Sequence, residues 1–348
     1  MANDRSDFLR VKSEDLSENH YLVTYQVARN GVRLDSFLKE RYRKRSREQL
    51  KQAIDSGKIT ILRNQSPHLS LGRLKPAMQL LAGDEVQVLS ERKPEPEVSF
   101  DYKVLHEDEV LYVIDKPANL PVHPAGRYFF NTLLTHLKTQ GHKNPLKADV
   151  KYFLVHRIDK ETSGVLVLAK ETAAATHLTR QFAERRTEKR YLAVVKGVPE
   201  PEFTVALAMK RSDRSLIDLK MMIAPESEGG QSALTVFKRV SVHENRHGQF
   251  SLVECFPKTG RQHQIRLHLE AAGHPIVGDK LYGRPESDAV RFYERRHLTP
   301  EAEAALLIPR HALHAASIRF EHPVSGERLE FRSDFPDDIR LFLFGAFR

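Results

Sequence analysis

The stretch HRIDKETSGVLVLAK, residues 156–170, sets a dense polar and charged loop directly ahead of an apolar, strand-like run at 165–168. Polar clusters at strand entrances are favoured places for active-site groups, because a rigid sheet holds the loop still. Asp159 is the only carboxylate there with a cation, Lys160, on one side and an apolar residue, Ile158, on the other. It fits a nucleophile or general base held ionised and partly desolvated. It fits equally well a turn aspartate capping backbone amides, with Thr162, Ser163 and Gly164 completing the turn.

Further along, KTGRQHQIRLHL (258–269) places Gly260 at the end of a strand and starts a helix. Gln262, Ile265, Arg266 and Leu269 share one face of that helix, so Arg266 lies among apolar neighbours, where an unpaired charge is costly. It wants a carboxylate partner. His263 and His268 do not share a face, which argues against a zinc pair, and no Cys cluster or HExxH supports a metal site. Strand-like runs recur at 110–114, 191–195, 203–208, 232–240, 250–255 and 315–320, with helical patterns near 132–137, 173–186 and 262–272. Strands outnumber helices without alternating strictly with them, which predicts an α+β fold around a mostly antiparallel sheet.

Upstream, ERKPEPE (91–97) is extended and charged and reads as a linker. The predicted organisation is a leader at 1–30, a small module at 31–90, a linker at 91–99 and a large domain at 100–348. Within the module, Leu34, Phe37 and Leu38 recur at helical spacing, and Ser46-Arg-Glu-Gln49 is a capping box ahead of Leu50, Ala53 and Ile54. Gly57 stops that helix, and strands follow at 58–61 and 85–88. Between Gly31 and Lys75 stand twelve basic and four acidic residues, +8 of the chain's net +9. Such a surplus favours a polyanionic partner.

The 348 residues are 40% hydrophobic and 29% charged, with no apolar run long enough for a membrane helix. The single cysteine, Cys255, excludes an intrachain disulfide. The amino terminus lacks the apolar core of a secretory signal, so the expected compartment is cytoplasmic.

The small module resembles the S-four-type RNA-binding domain through VRLDSFLKE, SREQLKQAIDSGKITI and LLAGDEVQV, departing from it at ILRN (61–64) and in the longer link before Leu80. The resemblance implies RNA contacts along Arg43, Lys44, Arg45, Arg47 and Lys51. HRIDKETSG resembles the catalytic motif of the RluA-type pseudouridine synthases. HEDEVLYVIDKPANLPVHPAG (106–126), EKRYLAVVKG (188–197) and KTGRQHQIRLHLEAAGHPIVGDKLYG (258–283) agree with that family in order. Ile158 replaces the common leucine, Gln262 stands where threonine is frequent, and 141–149 and 284–308 follow no family pattern.

That resemblance implies a pseudouridine synthase fold, with a central mixed, mainly antiparallel sheet and a catalytic cleft. It implies isomerisation of uridine in RNA: uracil leaves its ribose, turns and is reattached through carbon, with no cofactor or metal required. Asp159 is the implied essential carboxylate, and attack on the base, attack on the ribose and removal of a sugar proton all use it. Arg266 matches the basic residue paired with it, and Tyr191 the tyrosine that packs on the target base and assists removal of its C5 proton. Arg157 matches the residue that fills the space left by the flipped uridine or grips its phosphate. Arg261 and His263, with the loop residues His156 and Thr162, follow as RNA contacts. Opening a nucleotide costs a few kcal/mol, which remote contacts from a basic module offset. The expected substrate is large-subunit ribosomal RNA, with transfer RNA the alternative, and the expected state is a monomer. A non-catalytic RNA-binding assembly factor and a base-releasing N-glycosidase are the readings from other classes.

Overall fold

A computed structural model describes residues 8–17, 20–42, 45–63, 74–91, 95–143, 150–295 and 298–345. Contacts divide the chain into two units, Met1–Pro96 and Glu97–Arg348.

The smaller unit runs β1 (Phe8–Ser17), β2 (His20–Val27), β3 (Val32–Arg33), α1 (Leu34–Arg41), α2 (Arg47–Asp55), β4 (Ile59–Leu62), β5 (Gln79–Leu80) and β6 (Glu85–Glu91). Its four-stranded sheet has the order β1-β2-β6-β4, antiparallel throughout, and β3 pairs with β5. The helices form where the spacing predicts them. Ser46 Oγ accepts the Gln49 N–H and Gln49 Oε1 accepts the Ser46 N–H, closing the capping box, and Gly57 takes the left-handed φ of +73° that ends α2. Leu34, Phe37 and Leu38 of α1 pack with Leu50, Ala53 and Ile54 of α2 on Ile59, Ile61, Val86 and Val88. Two strands of this sheet, β1 and β2, lie within the stretch expected at 1–30 as a leader joined to the module. β2 is an inner strand of this sheet, hydrogen-bonded along both edges, and Val27 is buried in the core. Five of the eight residues of β2 are Tyr, Leu or Val, and most of its side chains are half-buried.

The larger unit runs β7 (Lys103–Glu107), β8 (Leu111–Lys116), α3 (Leu133–Lys143), β9 (Phe153–Leu154), β10 (Ser163–Ala169), α4 (Thr172–Ala183), β11 (Glu188–Lys196) and β12 (Glu202–Val205). The hairpin β13 (Met209–Arg211) and β14 (Met221–Ile223) follows, then β15 (Thr235–Asn245), β16 (Gly248–Pro257) and α5 (Gln264–Ala271). The chain continues through α6 (Glu286–Arg295), α7 (Pro300–Ala304), β17 (Leu313–Glu321), β18 (Arg328–Arg332) and α8 (Asp337–Phe344). A ten-stranded sheet has the order β12-β15-β16-β11-β17-β10-β8-β7, with β9 on β10 and β18 on β17. Among the described strands only β10 and β17 pair in parallel, so the fold is α+β with a mixed, mainly antiparallel sheet. Every residue of β10 is buried, as a continuous apolar run covered on both faces should be. The sequence gives no pattern for the β13–β14 hairpin, α6, α7 or α8, which lie between or after the motifs.

Candidate active site

The loop that enters β10 is held from all sides by buried polar groups. The Thr162 N–H closes a turn on the Asp159 carbonyl at 3.1 Å, and the Thr162 hydroxyl meets His311 Nε2 at 2.8 Å. Gly164 has φ +110°, and a Cβ there would lie 2.2 Å from the Ala315 carbonyl, so only glycine lets β10 and β17 approach. Lys116, fully buried, donates to the carbonyls of Pro117, Leu120 and Lys160 at 2.8, 3.1 and 3.0 Å. Burial lowers its ammonium to about 7. Glu161 is paired with Lys280 and accepts the His311 N–H at 3.2 Å, while Arg310 donates to the Glu161 carbonyl and forks onto Asp338. The backbone that carries Asp159 therefore has little freedom.

The carboxylate that Arg266 requires is Asp159, with Nη1 to Oδ2 at 2.8 Å. The guanidinium turns its other edge to Asp279, with Nε to Oδ2 at 2.6 Å and Nη2 to Oδ1 at 2.8 Å. Side-chain exposure is 5% for Arg266, 0% for Asp279 and 22% for Asp159. Arg266 is thus a buried bridge between a fully enclosed carboxylate and one that faces the cleft. Asp279 also accepts the N–H groups of Leu281 and Tyr282, and a Cβ on the preceding Gly278, at φ +76°, would lie 1.9 Å from the Arg310 carbonyl. Burial alone would raise the Asp159 carboxyl. His263, once acid protonates it, and the permanently charged Arg266 instead hold it well below the usual carboxylate range. Asp279 is lowered in the same way, its burial outweighed by Arg266. Asp159 is therefore ionised at any physiological pH, with Oδ2 committed to Arg266.

A cleft of about 480 Å³ opens on this pair, lined among others by Arg157, Lys189, Tyr191, Arg261 and His263. Tyr191 reaches it from β11, opposite a β-bulge in β17 where Arg190 pairs with Ser317 and Tyr191 with Ala315, leaving Ala316 as the extra residue. Burial and the Asp159 charge raise its phenol, which stays protonated. Arg157 and Arg261 are exposed at the rim. Two further expected RNA contacts, Thr162 and His156, also line the cleft and are already engaged within the fold. Thr162 is 2% exposed, with its hydroxyl engaged by His311. His156 stacks on Phe182 with ring centroids 4.8 Å apart and accepts the Val167 N–H at 2.9 Å. Burial lowers its imidazole to about 3, so it enters as a neutral buttress and not as a cation for phosphate. In the smaller unit, Arg33, Lys39, Arg47 and Lys51 line a groove along α1 and α2, and Arg45 lies over the Tyr42 ring at 5.1 Å. Arg43 and Lys44 lie outside the described residues.

Sequence reasoning missed Asp279, Lys116 and Lys189. The one available signal was the need of Arg266 for carboxylate partners, which a second acidic residue in the same motif satisfies. Lys189 lines the cleft from β11 two residues before Tyr191, so both point to the same side of the strand. Among the described residues there is no cluster of three or more His, Cys, Asp or Glu arranged to hold a metal ion. No helix among them is long and apolar enough to cross a membrane.

The family model for RNA pseudouridylate synthases matches residues 110–271. Ribosomal large subunit pseudouridine synthase D of Zymomonas mobilis is 34% identical over 327 residues, 92% of this chain and 95% of that protein. Ribosomal large subunit pseudouridine synthase C of Escherichia coli is 33% identical over 345 residues, 96% of this chain and 98% of that one. Among solved structures, human RNA pseudouridylate synthase domain containing 1 superposes with a TM-score of 0.52 at 27% identity, covering 69% of this chain and 86% of its own.

Proposed function

The chain belongs to the RNA pseudouridylate synthase family and is an RNA pseudouridine synthase, and from that premise we propose that its substrate is large-subunit ribosomal RNA. The observation that carries this reading is likeness along nearly the whole chain, smaller unit included, to relatives whose names specify the ribosomal large subunit. In this reading Asp159 is the essential carboxylate. Its Oδ2 is anchored by Arg266, which leaves Oδ1 to act on the target nucleotide. Tyr191 presents an aromatic face for the flipped uracil, and base–aromatic stacking tolerates the turn the base must make before reattachment. Arg157, Lys189 and Arg261 supply positive charge for the flanking phosphates, where an arginine fork suits a phosphate or the gap left in the stack.

The smaller unit acts as an S-four-type RNA-binding module, gripping RNA remotely through Arg45, Arg47 and Lys51. The protein works as a monomer. The isomerisation transfers no group to another molecule and changes no oxidation state, so it calls for no cofactor.

The test is tritium release from transcripts labelled at C5 of uridine, comparing large-subunit ribosomal, small-subunit ribosomal and transfer RNA. Release from the large-subunit transcript is expected. Release confined to transfer RNA would replace the substrate assignment, and an abasic product in place of a rearranged nucleotide would replace the reaction.

A further inference from the structure

We infer that His263 is a hydrogen-bond donor to the O2 carbonyl of the target uracil, placed to stabilise the negative charge the base takes up as it parts from its ribose. The inference deepens the pseudouridine synthase reading of this cleft and rests on it. It begins with an unmet donor. The His263 side chain is 7% exposed, and its backbone adopts φ +57°, a left-handed conformation uncommon outside glycine. Nδ1 lies 2.9 Å from the Tyr282 hydroxyl, and that hydroxyl already accepts the Met221 N–H at 3.0 Å. Among the described residues the phenol has no acceptor other than Nδ1, so its proton goes there. The imidazole proton is consequently on Nε2.

Nε2 faces the cleft and lies 3.9 Å from Asp159 Oδ1, too far for a hydrogen bond but next to the oxygen that Arg266 leaves free. Any group that reaches Oδ1 brings its neighbouring atoms to Nε2. When the N1–C1′ bond breaks, its electron pair passes into the uracil ring and appears on O2, two bonds from N1. Asp159 compensates at the sugar, either by bonding to C1′ or by taking a sugar proton that is later returned. Reattachment through C5 returns the pair to a carbon–carbon bond, and the proton lost from C5 is matched by one taken up at N1, so atoms and charge balance. Preorganised donors aimed at developing charge are the usual source of such stabilisation. The ring is also suited to donate without giving up its proton. Burial and the neighbouring Arg266 lower His263 to about 4, so it is a neutral imidazole throughout the working range.

The experiment is a double cycle between enzyme and substrate on a large-subunit ribosomal RNA fragment carrying uridine or 2-thiouridine at the modified position, read by pseudouridine formation in single turnover. His263→Phe is expected to lower the chemical rate on the order of 10²- to 10³-fold with little change in RNA affinity. His263→Gln, whose amide can reach the place of Nε2, is expected to recover part of that loss. Sulfur in place of O2 should slow the wild type but add little to the defect of His263→Phe, because both changes remove one interaction. If the two losses multiply, the assignment is overturned. If the coupling appears instead with a 2′-deoxy target, the donor faces the ribose and the O2 assignment is equally overturned. Thermal melts separate a folding defect, and should His263→Phe not fold, His263→Leu, which also lacks a donor, carries the same cycle. A wild type inactive on every RNA would sink the enzymatic reading itself, and this inference with it.

Discussion

In the larger unit Arg266 is 5% exposed and shared between two carboxylates, whereas in the smaller unit Arg47 and Lys51 stand exposed along α2 with no partner among the described residues. The first arrangement fixes a guanidinium and, through it, the Asp159 carboxylate in one orientation. Its cost is desolvation, and it is stable only because Asp279 neutralises the edge that Asp159 does not reach. The second leaves cations hydrated and mobile, able to meet phosphates in many registers but unable to orient a reacting atom. Buried, paired charge therefore belongs to chemistry in this molecule, and exposed charge to affinity.

The sharpest way to break that division is to remove the buried anchor. Asp279→Ala leaves Arg266 enclosed with two of its three hydrogen bonds unmet, and should cost about 3–5 kcal/mol of stability by urea unfolding, as loss of one partner of a buried pair does. Activity should fall with it even though Asp279 does not line the cleft. A variant of wild-type stability and rate would show that Arg266 needs only Asp159.

A second test uses acid. Burial lowers His263, His311 and His314 to about 4 each, against about 6.5 in an unfolded chain. Above about pH 6.5 these rings are neutral in both states and their contribution is intact. As pH falls from there towards their folded values, the unfolded chain takes up protons the fold refuses. Each ring then costs about 1.4 kcal/mol per pH unit. Asp159 and Asp279, lowered in the fold, add to the loss only below about pH 4, where an unfolded aspartate begins to protonate. Calorimetry of the intact chain between pH 7.5 and 5 should therefore show the larger unit losing stability. The smaller unit, whose only described histidine is the exposed His20, should change little. Parallel loss in both units would contradict the contrast.

The smallest effect belongs to the exposed cations. Arg47→Glu combined with Lys51→Glu should leave the melting temperature within the range of ordinary surface changes, about 0.5 kcal/mol. It should weaken RNA binding and flatten the salt dependence by roughly two phosphate contacts, without altering the single-turnover rate at saturating RNA. A lower saturated rate would mean that α2 takes part in the chemistry.

What the sequence made legible follows the same line. The capping box of α2 is local, set by residues three apart, and is read directly from spacing. The face expected of α5 is only partly found, because the helix begins at Gln264, after Gln262, and residues 264–269 are buried all round. The alliance of Arg266 with Asp279 spans 13 residues and a turn at Gly278, and that of Thr162 with His311 spans 149. No periodicity reports such contacts. Lys116, Lys280 and Glu161 are residue types that usually face water, and what buries them is the tertiary hydrogen bonding around the loop. β2 carries mostly Tyr, Leu and Val, and its inner place in the sheet is set by backbone pairing along both edges, which local pattern does not report.

The account turns on Asp159 as the essential carboxylate, held ionised by Arg266. Asp159→Asn keeps the size and an acceptor for Arg266 while removing the charge. Tritium release from C5-labelled large-subunit ribosomal RNA should fall on the order of 10⁴-fold or more, with RNA binding retained. Release by that variant at a rate near the wild type would contradict the account, whatever the fate of the other residues in the cleft.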